Sequence, residues 1–550
     1  MDYCPVEMAD SEPCGRPLYR RTVDTPPEPT CIMHYAGPKL ANLFQEEIDA
    51  LTSGRSKYLR AGVVDFRRFR FPSGVTFRTR TFSEYACFLE AVFADSIEFS
   101  GAQFVKDANF SGATFSHVDF TSAVFNGNGV FARTTFSQEA TFAGSCFQTR
   151  ADFRESRFGA RVDFSDAELH SPIFAACAFG SKAWFGAAKL FGTADFQTAE
   201  FVGAADFFAA KFFGSANFGY TKHHGGSAFV NTVFEDVTFG SAELSVSTNF
   251  YRTLFNGHAN FGFAKFQDVT FRSAQFREGA SFEAAAFSGD VEFHHVSFGS
   301  AGHADEAAVA NFADARFEKP ARVWFTQVNK DVSVGFRARF LNCDVEQIHL
   351  EDVRWHRRRG RMVLQDELDV LEGSNDANAD AKTADRRSGH ELVAISYRQL
   401  INNFDRVRSL DLAEDCFCGS MEMKRRDPNE SPVSRAVLGA YSLASAYGSN
   451  YAQALAVLLC IVAAFGLLYA LPFLRLEVAP HQDSALQMAS TWLRRCPAGL
   501  FHSLEAATFQ RDATYAFSWR RGRLATIAEQ TLVPIQVALL LLALRRRFRR

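Results

Sequence analysis

Four side chains near the start of the chain, Cys4, Cys14, Cys31 and His34, are of the types that together hold a tetrahedral zinc ion. Thiolates and an imidazole suit this borderline-soft cation, and the pair in CIMH supplies two corners of a tetrahedron from one tight turn. The nine residues between Cys4 and Cys14 are a looser spacing than in a standard finger. A tail as short as residues 1–35 cannot bury a core of its own, so a structural Zn2+ is the expected cofactor and explains why the tail is there. Nothing about the set points to catalysis. Two further groups contain metal-ligand types: His223 with His224, and His294, His295, His303, Asp305 and Glu306. His223 and His224, and His303, Asp305 and Glu306 with His294 and His295 close by in sequence, fall at interruptions of the pattern described next, and both groups read as exposed loop residues rather than ligands. No G-x-S-x-G elbow, phosphate-binding G-x4-GK[ST] loop, HExxH or dinucleotide fingerprint occurs, so an enzyme is not expected.

The stretch that must position these residues runs from 77 to 325, where a phenylalanine returns every five or six residues. In SGAQFVKDANFSGATFSHVDFTSAVFNG the ring positions are Phe104, Phe110, Phe115, Phe120 and Phe125. Two residues before each stands something small: Ala102, Ala108, Ala113, Val118 and Ala123. On one long strand, residues five apart point to opposite faces, which would leave half the rings in water. On a helix, steps of five and six make two stripes, and the Gly, Ser, Thr, Asp and Asn spacers are poor helix formers. A chain that turns a corner after each short segment lets every ring point inward.

The runs ADFRESRF (151–158), ADFQTAEF (194–201) and ANFGYT (216–221) resemble the pentapeptide-repeat family, whose unit is A(D/N)LXX or A(D/N)FXX. The resemblance implies a mainly β fold, a right-handed quadrilateral β-solenoid with four units per coil. The sixth residue in alternate units implies coils nearer 22 residues than 20, and is expected to form a bulge on alternate faces. At about 22 residues per coil and ~4.8 Å between strands, the stretch makes roughly eleven coils and a rod ~50 Å long. The N-terminal cysteines are also similar to Cys-and-CxxH knuckles that precede such repeats in bacterial membrane proteins.

The rest of the chain divides around the rod. Residues 36–76 are expected to hold a helical cap and the start of the solenoid, with Leu40, Leu43, Phe44, Ile48 and Leu51 on one helical face. The solenoid proper is assigned to 77–330, with interruptions at 221–227 and 299–309, and a C-terminal cap to 331–372 around Val353 and Trp355. Residues 373–390 read as a disordered linker. A helical hairpin is expected at 391–430, with Tyr397, Leu400 and Phe404 on one helix and Ala413, Phe417 and Met421 on the other. It is similar to a tetratricopeptide hairpin.

Residues 431–550 form a membrane region with spans at 451–474 and 524–544, the second ending in RRRFRR. Between the spans, PAGLFHSLEAATFQRD (497–512) is similar to the pore loop of potassium-channel-like proteins. Thr508 is followed by Phe509, Gln510 and Arg511 where that family has its glycine filter, so a degenerate pore is implied. An ordinary loop with an amphipathic helix fits the same residues. The terminal arginines and MKRR at 423–426 favour the cytoplasm for both, while Arg520, Arg521 and Arg523 oppose that orientation.

The net charge of −3 gives no reason to expect nucleic acid. Eleven scattered cysteines and a polar, acidic opening without an apolar leader point to a reducing compartment. The leading expectation is a bacterial inner-membrane scaffold, solenoid and C-terminus cytoplasmic, that binds an unidentified protein through its rod. A channel-like protein regulated by its soluble part and a DNA-mimicking protector of topoisomerases are the alternatives. The membrane region also offers a route to a homo-oligomer.

Overall fold

The computed structural model describes residues 3–8, 12–18, 30–31, 33–34, 41–58, 62–299, 308–318, 322–330, 332–373, 388–471, 474, 476–478, 492–509, 515–517 and 520–548. They fall into two compact units, Met1–Leu368 and Asp369–Arg550. His303, Asp305, Glu306 and most of the expected linker lie outside the described residues.

The first unit is a parallel β-solenoid of about 13 turns. Rungs repeat every 21 or 22 residues, as in Ile97 beside Val118 and Val118 beside Ala140. Two of its four faces are 12-stranded sheets and one is 11-stranded. The fourth is a 5-stranded and a 7-stranded sheet joined through Ile173, which bridges Asp152 and Asp195. The turns outnumber the roughly eleven expected because strands begin at Val63–Asp65 and continue to Ile348–Glu351. Phe66 and Phe71 extend the ring columns at one end, and Phe336 and Phe340 at the other.

The interior is a set of ring columns. Phe88, Phe110 and Phe131 stack at 4.6 and 4.7 Å between centroids, with planes within 5°. Neighbouring columns meet edge to face, as Phe99 does Phe110 at 5.7 Å and 88°. Both are favoured aromatic geometries, and each buried ring contributes on the order of 1.5–3 kcal/mol through burial alone. Ala102, Ala108, Ala113 and Ala123 are wholly buried beside them.

The A(D/N)F unit has a physical reason at each position. The alanine and the ring point inward, while the Asp or Asn side chain accepts from the backbone N–H two residues on. Asn109 takes Ser111 N at 2.9 Å and Asp119 takes Thr121 N at 2.7 Å. At these corners the second residue after the ring has positive φ, for example Gly101 (φ +64°) and Ser122 (φ +55°). The ring's carbonyl then accepts from the next residue, Phe99 from Ala102 and Phe120 from Ala123, both at 2.9 Å. The sixth residue does not form the expected strand bulge. It sits in the other corners: Asp107 lies between the strands Gln103–Phe104 and Ala108–Asn109, and the five-residue step from Phe115 has no counterpart. Such a corner is tied longitudinally, since Asp236 accepts His258 N at 2.9 Å. Gly257 precedes that amide because a Cβ there would come within 2.4 Å of Asp236 Oδ1.

The expected interruption at 221–227 is not one. Lys222–His223 and Ser227–Ala228 are ordinary rungs, and His223 takes a ring position in the core. The expected N-terminal helix is α1 (Ala41–Thr52), which buries Phe44, Ile48 and Leu51 and is held by Arg80 to Asp49 and Thr52. At the other end α2 (Gln365–Glu372) presents Asp366, whose carboxylate accepts from Phe340 N at 2.8 Å and Leu341 N at 3.2 Å.

The second unit is helical: α3 (Gly389–Arg406), α4 (Leu410–Arg426), α5 (Pro432–Ser445), α6 (Tyr451–Tyr469), α7 (Trp492–Ala507) and α8 (Arg520–Arg547). In α3 the expected Tyr397, Leu400 and Phe404 are buried. In α4 the buried stripe is Ala413, Cys416, Ser420 and Met423, so Phe417 and Met421 are only half-buried, and Phe417 lies under the Arg546 guanidinium at 4.7 Å. Helices α6 and α8 are long and apolar enough to cross a membrane, with mean hydropathies of 2.3 and 1.8 over their most apolar stretches.

Candidate metal centre

Residues 3–8 and 12–18 form a hairpin, with Tyr3 bridged to Pro17 and Glu7 to Pro13. Cys4 N donates to Arg16 O and Cys14 N to Val6 O, which sets the two thiols side by side. The turn that brings His34 N onto Cys31 O at 3.0 Å delivers the other two groups. All four ligand atoms lie within 4.8 Å of one another and all four residues are buried. Cys4 Sγ and Cys31 Sγ are 3.4 and 3.3 Å from His34 Nδ1, and Cys14 Sγ is 3.8 Å from Cys31 Sγ. A tetrahedral ion with metal–sulfur bonds of about 2.3 Å needs sulfur–sulfur edges of about 3.8 Å. The four residues singled out in the sequence therefore come together as a set that could hold a metal ion, and the looser Cys4–Cys14 spacing is the length of the hairpin.

The electrostatics fit such an ion. The thiol contact with Cys31, reinforced by Cys4, pulls Cys14 far below the ordinary thiol range, and the same contact pushes Cys31 up. Burial lowers His34, but the thiol contacts of Cys14 and Cys4 outweigh it and hold it at about 9. These groups compete for too few protons, a tension that a cation at their centre removes. His34 Nε2 donates to Arg67 O at 3.1 Å, which leaves Nδ1 facing the thiols.

Arg16 went unnoticed in the sequence. It is 5% exposed, donates to Cys14 Sγ at 3.4 Å and to Glu47 Oε1 at 2.8 Å, and stacks over Tyr58 at 4.4 Å. Three thiolates, an imidazole and a divalent ion leave one negative charge, which this guanidinium faces. An arginine within two residues of a cysteine was the signal. The knuckle seats on the first turn of the solenoid through Arg67 Nη1 to Met8 O at 2.7 Å, Arg70 N to Met33 O at 2.9 Å and His34 edge-on to Phe69 at 4.9 Å. With Phe44 of α1 on Phe69 and Phe71, it covers the first ring columns.

Among the described residues, the other histidines singled out in the sequence do not assemble into a ligand set. His223 is stacked in the core, His224 pairs with Glu200 on the surface at 3.1 Å, and His294 touches His295 edge to face.

Against known proteins, residues 81–124 and 250–297 match the family model described as pentapeptide repeats (9 copies). No curated protein and no solved structure matches the chain. The matched residues are stacked parallel turns of the β-solenoid, which therefore contains pentapeptide repeats.

Proposed function

We propose that the chain is a non-enzymatic scaffold, anchored in a bacterial inner membrane by α6 and α8, whose solenoid binds a protein partner and whose N-terminal knuckle carries one structural zinc. The observation that carries the partner reading is a break in an otherwise strict rule. The solenoid buries its rings almost without exception, yet Phe208, Phe213, Tyr220 and Phe263 are 49–63% exposed, and Tyr220 and Phe263 line one hollow. Exposed aromatics grouped within a few turns are the anchors protein interfaces use. The zinc reading is supported by the donor set and its edges, and the anchor by the apolar, outward-facing α6 and α8. The arginines ending α8, and Lys424, Arg425 and Arg426 ending α4, favour cytoplasmic placement of solenoid and C-terminus.

Affinity capture from detergent-solubilised membranes tests the scaffold. The wild-type chain should retain a partner that the Tyr220→Ser, Phe263→Ser double variant loses, with folding unchanged. An identical partner set from both chains would refute this surface.

One observation favours the channel-like reading as an alternative. Helix α7 packs against the C-terminal part of α6, where a Cβ on Gly499 would lie 2.3 Å from Gly466 O. It lies between the two span-length helices in the chain and packs on both, through Gly499 on α6 and Ser503 on Glu529 of α8, and two residues past its end Phe509 takes the left-handed region (φ +55°).

A further inference from the structure

Glu529 of α8 is wholly buried, and so is Ser503 of α7. Tyr469, at the end of α6, donates its hydroxyl to Glu529 Oε2 at 2.7 Å. Ser503 Oγ hydrogen-bonds Glu529 Oε1 and lies 2.9 Å from the Val462 carbonyl oxygen in α6. Among the described residues no Lys, Arg or His pairs with this carboxyl, and Phe465, Leu468, Ala498 and Ala525 pack around Tyr469. The proton count does not close on an ionised carboxylate. A carbonyl and a carboxylate only accept, and a serine hydroxyl has one proton for its two acceptors. The phenol proton is already committed to Oε2. Three contacts therefore have two hydroxyl protons, and one more positive charge is required.

We propose that Glu529, Ser503, Tyr469 and the Val462 carbonyl form a proton-binding site inside the helical unit. The proton resides on Glu529 Oε1 and is donated to Ser503 Oγ, whose own proton goes to Val462 O. This keeps the buried group neutral, where an isolated charge would be costly. When the proton leaves as H+ to solvent, Ser503 turns its hydrogen to the new carboxylate, and Val462 O keeps its helical partner but loses the Ser503 donor. One bond between α6 and α7 is lost, so proton release loosens α7. The titratable groups nearby are Tyr469 on α6, His502 and Glu505 on α7, and Arg521 and Arg523 further back on α8. His502 lies 4.0 Å from Glu505 and 3.5 Å from Thr526, with its ring edge-on to Tyr469 at 5.0 Å. The site goes beyond the scaffold reading and does not depend on a surrounding membrane.

The full chain in lipid nanodiscs tests it by infrared difference spectroscopy and hydrogen exchange. At neutral pH a protonated-carboxyl C=O band should be present in wild type and absent in Glu529→Gln. As pH rises the band should vanish while exchange in α7 increases about tenfold, the size of one lost buried hydrogen bond. Glu529→Gln should show no such pH-dependent rise. Should that variant fail to assemble, Ser503→Ala is read instead, and the band must shift in frequency. A spectrum without a Glu529-dependent band overturns the proposal. So does a band removed by sodium ions at constant pH, which would assign the extra charge to a metal cation.

Discussion

His223 lies flat against Phe201, with ring centroids 4.6 Å apart and planes 17° from parallel, in a column whose next member is Leu244. It is a histidine in a phenylalanine position. Thr221 Oγ1 at 3.1 Å and Ser227 Oγ at 2.8 Å supply the hydrogen bonds that its ring nitrogens need there. Burial, with a smaller push from His224, pulls its pKa down to about 3.

That depression has a definite sign. A base whose folded pKa lies below its unfolded value of about 6.5 gives full stability above that pH and loses it as pH falls towards about 3. The unfolded chain gains a proton that the folded chain refuses, at about 1.4 kcal/mol per pH unit. The isolated solenoid unit should therefore show a falling denaturation midpoint below pH 6.5, and His223→Leu should flatten this dependence. Equal pH slopes in the two proteins would show that His223 is not the group responsible.

Metal analysis of the purified chain should give about one zinc per molecule, lost on prolonged chelation and in Cys31→Ser. Loss should expose the first ring column, so proteolysis near residues 41–58 should speed up. Arg16→Met should keep the metal but weaken its retention at least several-fold, because the buried charge facing Cys14 is gone. Undiminished stoichiometry in Cys31→Ser would rule the centre out.

Much of this fold was legible because one residue type, phenylalanine, must be hidden, and a five-or-six step can hide it only on a coil. The four-residue cluster that could hold a metal was legible from CIMH and two upstream cysteines. Arg16 was not, because its meaning depends on Glu47 and Tyr58, which the fold brings to it. His223 was misread because spacing alone cannot distinguish a polar residue in a gap from one filling a ring position whose partners lie two and four residues away. In α4 the sequence suggested Phe417 as a buried anchor, but Arg546 from α8 covers that ring and Cys416 and Ser420 take the inner stripe.

Reporter fusions should place position 550 in the cytoplasm and position 483 in the periplasm, given span-length helices at Tyr451–Tyr469 and Arg520–Arg547. The reverse pattern would mean that Arg520, Arg521 and Arg523 set the orientation. In planar bilayers no potassium-selective current is expected, since no glycine follows Thr508 through Ala513 to build a carbonyl cage. A selective current would promote the channel-like reading over the scaffold.

The last prediction concerns DNA mimicry. Residues 77–325 carry 19 Lys and Arg against 27 Asp and Glu, so 19 − 27 = −8. Duplex DNA carries a charge every ~1.7 Å of axis, so a mimic ~50 Å long would show roughly thirty negative charges. The solenoid carries about a quarter of that, and much of it is paired. Asp152 lies between Arg150 and Arg154 at 3.3 and 2.7 Å, and Arg161 reaches Glu139 and Asp163 at 3.4 and 2.9 Å. Between turns Lys189 meets Glu168 and Lys265 meets Glu243, both at 2.8 Å. Ladders of opposite charge present a mixed surface rather than a phosphate-like stripe. The solenoid fragment should therefore leave DNA gyrase supercoiling unchanged at micromolar concentration. Inhibition abolished by Asp163→Lys and Asp166→Lys would establish mimicry in spite of the charge count.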